Sequence, residues 1–181
     1  MSLATPTVTP QVATSGRPAI FVDIDGVLAP GNQRVRVNDL RVSDAAVDVL
    51  VYLQRATKAA LVLASSRTWG AETPEDVGAW LCELLGVDTG ELGGHIGTPT
   101  SRHGHNAKEA AVADWLDAAC ESDRLPPRWL VIDDEVGRRT PSPLSIDDRC
   151  FVLCPVYADT LAGMAMTDVR RAAQHLLGGA S

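Results

Sequence analysis

Residues 20 to 28 read Ile20-Phe21-Val22-Asp23-Ile24-Asp25-Gly26-Val27-Leu28, and the rest of the chain is organised around them. The apolar run from Ala19 to Val22 has the length and composition of a buried strand. It ends in two aspartates one residue apart, and a glycine follows at once. Positions i and i+2 of a strand share a face. Asp23 and Asp25 therefore leave the strand together at its carboxyl end, where open α/β sheets hold their ligands. Two neighbouring carboxylates repel unless a cation lies between them or one keeps its proton. Gly26 then frees the backbone to turn away, with a dihedral that other residues avoid. The stretch reads as a site.

Elsewhere the chain divides into strands and helices of ordinary length. Ser43-Asp44 predicts a capped helix, with Ala46, Leu50, Leu53 and Ala56 on its inner face and Lys58 near its end. A second buried strand, Ala60 to Ala64, runs into Ser65-Ser66-Arg67, where hydroxyls and N–H groups can hold a phosphoryl oxygen. Thr73-Pro74-Glu75-Asp76 starts another helix that stops at Gly86, with Val77, Trp80, Leu81, Leu84 and Leu85 expected in the core. A short strand is expected around His95-Ile96. Asn106 and Glu109 form a capping-box-like start for a helix buried along Ala111, Trp115, Leu116 and Ala119. Lys108 falls in its first turn, where a cation opposes the helix dipole unless both converge on a bound anion. A third strong strand, Trp129 to Ile132, again ends in acids, Asp133-Asp134-Glu135. An acidic cluster spread over two strand ends suits Mg²⁺, which takes carboxylate and phosphate oxygens. Cys150 to Val156 is a further strand, and Thr167-Asp168 caps a final helix with Val169, Ala172, Ala173, Leu176 and Leu177 inward.

Strands that alternate with amphipathic helices imply an α/β fold with a mainly parallel sheet covered on both faces. The domain is expected to span 18–181, after a Thr-, Ser- and Pro-rich tail at 1–17. After the first strand, Arg34-Val35-Arg36-Val37 alternates behind Pro30-Gly31-Asn32, which predicts a hairpin or edge strand bearing arginines. Trp69 lies in the loop after Arg67 and can border the site or pack. His103 and His105 share an H-x-H spacing, but two histidines do not close a metal site.

With 16 basic and 23 acidic residues the net charge is -7, which excludes strong non-specific attraction to nucleic acid. Cys82, Cys120, Cys150 and Cys154 lack zinc-type spacing and read as reduced core thiols of a cytoplasmic protein. No apolar run nears the length of about 18 residues that a membrane span requires, and the N-terminus lacks the pattern of a signal peptide.

Taken together, Asp23-x-Asp25-Gly26-Val27-Leu28, Ser65, Lys108 and Asp133-Asp134 resemble the four motifs of the haloacid dehalogenase-like (HAD) hydrolases, in the same order. The resemblance covers nearly the whole domain and implies a three-layer sandwich around a Rossmann-like sheet. It further implies that Asp23 is the nucleophile of an aspartyl-phosphate mechanism and Asp25 the general acid and base. Ser65 and Lys108 would bind the phosphoryl group, with Ser66 an alternative to Ser65, and Arg67 and Trp69 would face the substrate. Asp23, the Asp25 carbonyl, Asp133 and Asp134 would hold Mg²⁺. Asp25 favours a phosphatase, because the dehalogenases that named the family lack that second aspartate. Leu28 to Ser65 and Lys108 to Asp133 are too short for the large caps of many relatives. An open site, acting on a macromolecular or otherwise exposed phosphorylated substrate, is therefore expected, unless an oligomer supplies the lid. The Ser65-Ser66-Arg67-Thr68-Trp69 run is not the commonest after the second strand and leaves specificity open. Two alternatives stand beside a phosphatase: a HAD-fold binding or regulatory protein without turnover, and a phosphotransferase.

Overall fold

The computed structural model of the chain describes residues 16–30, 33, 35–65, 73–96, 107–134, 148–155 and 160–179. In chain order the elements are β1 (Ala19–Val22), α1 (Asp44–Thr57), β2 (Ala60–Leu63), α2 (Pro74–Leu85) and β3 (Leu92–His95). They continue as α3 (Ala107–Glu121), β4 (Trp129–Ile132), β5 (Cys150–Leu153) and α4 (Met166–Leu176). The five strands are parallel in the order β3-β2-β1-β4-β5, so the strand carrying the first acidic motif is central.

Alternation along β1 sorts the core into two layers. Ile20 and Val22 face one side, where Leu61, Leu63, Leu130 and Ile132 meet Leu50 and Leu53 of α1, Leu81 of α2 and Val169 of α4. Ala19 and Phe21 face the other side, which Val112, Trp115 and Ala119 of α3 cover. There Phe21 and Trp115 meet edge-to-face, with ring centroids 5.2 Å apart. The architecture is a three-layer α/β sandwich with a Rossmann-like sheet.

Local sequence chemistry starts and stops the helices. Ser43 Oγ accepts the Ala46 N–H, and Lys58 closes α1 in the left-handed region while donating its N–H to the Gln54 carbonyl. Thr73 and Asp76 form a capping box at α2, Pro74 occupies its first turn and Gly86 ends it at φ 61°. At the amino ends of the strands, Arg17 pairs with Glu91 and donates to the Lys58 carbonyl at 2.9 Å.

Several expectations are corrected. The Arg-Val alternation does not form a hairpin among its described residues; Val37–Asp39 is a short 3-10 helix with Val37 buried. Gln33 instead brackets Arg41, accepting its N–H at 3.1 Å and donating to its carbonyl at 2.9 Å. A new strand has nowhere to add beside β1, because β2 and β4 already occupy both of its edges. In α1 the inward position after Leu53 is Thr57, whereas Ala56 is exposed. Trp80 is only partly buried, and among the described residues the fully buried tryptophans are Trp115 and Trp129. The third strand begins at Leu92, ahead of the His95-Ile96 centre expected for it. The last helix begins at Met166, without a side-chain cap, and leaves Leu177 63% exposed beyond its end. None of the four cysteines is in a disulfide, but only Cys82 is buried; Cys120 is exposed and Cys150 and Cys154 are half-buried.

Leu50 sits at the centre of the three-helix layer with no exposure, so Leu50→Ala is expected to cost about 2–5 kcal/mol in urea unfolding. Asp48→Ala, on the exposed side of the same helix, is expected to stay within about 0.5 kcal/mol of the parent.

Candidate active site

The site grows out of strand register. Val22 lies opposite Leu63 on β2 and Ile132 on β4, and Ile132 lies opposite Leu153 on β5. The ladder runs one step past each strand. The Asp23 N–H donates to the Ile132 carbonyl at 3.0 Å, the Ala64 N–H to Val22 at 2.8 Å, and the Asp133 N–H to Leu153 at 3.3 Å. Asp23 and Asp133 are thereby set side by side at the carboxyl ends of the two central strands, 3% and 1% exposed.

The turn that carries Asp25 is fixed by its own backbone. The Ile24 carbonyl accepts the N–H groups of Leu28 and Ala29, both at 2.9 Å, and Gly26 donates to the Ala29 carbonyl at 2.8 Å. Outward bonds tie the turn to its surroundings, with Ser43 donating to Leu28 and Leu161 to Val27, each at 2.8 Å. Ile24, Val27, Leu28 and Ala29 are wholly buried beneath it. Gly26 adopts φ 76°, and a Cβ there would overlap the Asp134 carboxylate. The glycine therefore does two things: it turns the chain and it leaves room for a carboxylate from β4.

Lys108 enters from the opposite layer. From the first turn of α3 its ammonium donates to Asp23 Oδ2 and, at 2.6 Å, to Asp133 Oδ2. The Ile24 N–H holds the other oxygen of Asp23 at 2.8 Å. Asp134 joins the cluster, so that one oxygen from each of Asp23, Asp133 and Asp134 lies within 4.8 Å of the others. Three hard oxygen donors from two strand ends fit a magnesium ion. Asp25 is half-buried in the turn directly after Asp23, and Ser65 is half-buried two residues past β2, on the strand beside Asp23. Ser66, Arg67 and Trp69, like His103, His105 and Asn106, lie outside the described residues.

Like charges crowd together here. Among the described residues, the Lys108 ammonium faces two buried carboxylates, with a third close by. Burial pushes the Asp23 carboxyl up from 3.8 to about 7; the Lys108 ammonium offsets part of that rise and the Asp133 carboxylate adds to it. Burial would push the Lys108 ammonium down, but Asp23 and Asp133 together outweigh it and hold the lysine above its usual range. A proton on Asp23 or a divalent cation would offset the repulsion between these carboxylates.

Two outcomes follow. Because the Asp23 pKa is higher folded than unfolded, the folded state keeps a proton that the unfolded chain sheds, and stability falls as pH rises from about 4 to about 7. In EDTA, Asp23→Asn is therefore expected to melt higher than the parent at pH 8, with the gap narrowing towards pH 5. Gly26→Ala, which drives a methyl group into Asp134, is expected to weaken Mg²⁺ binding in calorimetry by at least about tenfold.

The comparison with solved structures finds the same fold in a protein from Mesorhizobium loti, designated a HAD-like phosphatase and solved at 1.50 Å. The two share 14% identity and a TM-score of 0.51, over 96% of this chain and 93% of the other. No curated protein matches the sequence. The model of one family, the HAD domain in Swiss Army Knife RNA repair proteins, matches residues 19–155, from the first strand to just past the last. The carboxylates that β1 and β4 bring together, and the α3 lysine bonded to them, all fall within the matched span, and the chain belongs to that family of HAD domains.

Proposed function

We propose that the protein is a Mg²⁺-dependent phosphatase working through a phosphorylated Asp23. The observation that carries this reading is the convergence of Asp23, Asp133 and Asp134 with the Lys108 ammonium at the carboxyl end of the sheet. In this reading Asp23, the Asp25 carbonyl, Asp133 and Asp134 hold the metal, which supplies positive charge to the oxygens of the phosphoryl group.

The chain's own groups perform the transfer. The Asp23 carboxylate attacks phosphorus, forming an acyl phosphate as the bond to the leaving oxygen breaks. Asp25 gives its proton to that oxygen, then takes one from a water molecule as the water attacks the same phosphorus and releases Asp23. Lys108 neutralises charge on the transferring group, and the Ser65 hydroxyl, or that of Ser66, donates to one of its oxygens. Asp23 is restrained by bonds to both of its oxygens, which fixes the nucleophile before substrate arrives.

The family's name points to RNA ends as the substrate class, and the short connections agree. Between Lys108 and Asp133 lie the rest of α3 and β4, and a single-turn helix and α1 are the helices described between Leu28 and Ser65. An uncapped site accepts a phosphate at the end of a long chain. With a net charge of -7, such a protein would grip the terminal phosphate and its nearest nucleotides instead of the backbone at large. Arg67 and Trp69, beyond Ser65, are the side chains proposed to meet them.

Hydrolysis of an aryl phosphate and of 3′- and 5′-phosphorylated RNA oligonucleotides is expected to require Mg²⁺. Asp23→Asn should abolish it, and Asp25→Asn should lower kcat by about 10²–10⁴-fold. A folded, Mg²⁺-binding protein without turnover on either class would instead support a binding role. Phosphoryl transfer to an added alcohol in preference to water would mark a phosphotransferase.

A further inference from the structure

The metal-site reading leaves one half-buried polar group beside the acidic cluster without a role. Register sets Cys154, the first residue past β5, opposite Asp133, because Leu153 pairs with Ile132 and accepts the Asp133 N–H. From there the Cys154 thiol donates to the backbone carbonyl of Asp134 at 3.5 Å, a normal length for sulfur, and lies 3.8 Å from the Pro155 carbonyl. Asp134 is therefore bounded on two sides. Gly26, from the turn after β1, leaves just enough room for its carboxylate, and Cys154, from the end of β5, holds its peptide. β1 and β5 are not neighbours; each flanks β4.

We infer that Cys154 is a positioning residue for the metal site: its thiol orients the Asp134 peptide, and with it the carboxylate that completes the Asp23–Asp133–Asp134 set. The inference rests on the reading of these three carboxylates as Mg²⁺ ligands. Asp134 sits where the described chain leaves β4, with one flank against a glycine that has no side chain to press on it. The thiol donates to its backbone from the other flank, and that bond helps to keep the carboxylate in its ligand geometry. Groups that orient a metal's ligands commonly set affinity by about tenfold or more, and a thiol is a weak donor, so the effect belongs at the low end of that range. Proline at 155 stops β5 at this point, so the ladder does not carry on past Cys154.

The test is Mg²⁺ binding by isothermal calorimetry under reducing conditions, on the full chain, with melting temperatures taken in EDTA. Cys154→Ala and the larger Cys154→Val both remove the donor, and each is expected to weaken Mg²⁺ binding about tenfold. Cys154→Ser keeps a donor and is expected to stay within about twofold of the parent. Unchanged affinity in the alanine and valine variants, or a serine variant as weak as alanine, overturns the role of the thiol while the metal site stands. A parent protein that binds no Mg²⁺ overturns both.

Discussion

The crowding of carboxylates at one end of the sheet is the constraint on which the structure turns. Three carboxylates meet at the ends of two neighbouring strands, and a single lysine, reaching in from the far layer, is bonded to two of them. Removing charges from water costs several kcal/mol per ion, which one ammonium shared between two carboxylates does not recover. Metal-free protein responds by raising the Asp23 pKa to about 7. Such an arrangement is poor as a stabilising ion pair, and under the proposed function it would receive a divalent cation and a phosphoryl group. The fold bears that cost at the one place where it can be turned to chemistry.

The scaffold that imposes this is plain. β1 is central, so its end is fenced by β2 on one side and β4 on the other, and parallel register carries all three strands to one level. The turn from Ile24 to Ala29 is bonded internally and to the starts of two other segments, while its apolar residues are sunk in the core. Loops ordinarily tolerate change, but this one is anchored like a piece of secondary structure. Lys108 depends on α3 being the helix that covers the second face, because Trp115 packed against Phe21 sets where the first turn of that helix lies.

Much of this was legible in the chain itself. Apolar runs of four residues ended by acids located β1 and β4, and the capping chemistry at Ser43 and Thr73 located α1 and α2. The local signals failed where a neighbour decided the outcome. Arg34 to Val37 alternates as a strand would, yet both edges of the neighbouring β1 are already taken by β2 and β4. Trp80 and Leu177 fit their helical stripes, but no layer lies outside them to complete their burial, whereas Trp129 is enclosed as part of a central strand. The partnership of Gly26 with Asp134, and of Cys154 with the Asp134 carbonyl, joins residues far apart in sequence. Only knowledge of strand order reveals it; the one local clue was that Cys154, like Asp23 and Asp133, immediately follows an apolar run.

The account stands or falls on Asp23 carrying the phosphoryl group. A single turnover of ³²P-labelled phosphorylated substrate with Mg²⁺, quenched in acid and followed by borohydride reduction and peptide mapping, addresses that directly. The account predicts transient label on the protein and homoserine at position 23. Turnover with no labelled protein, or with the label on another residue, would contradict it.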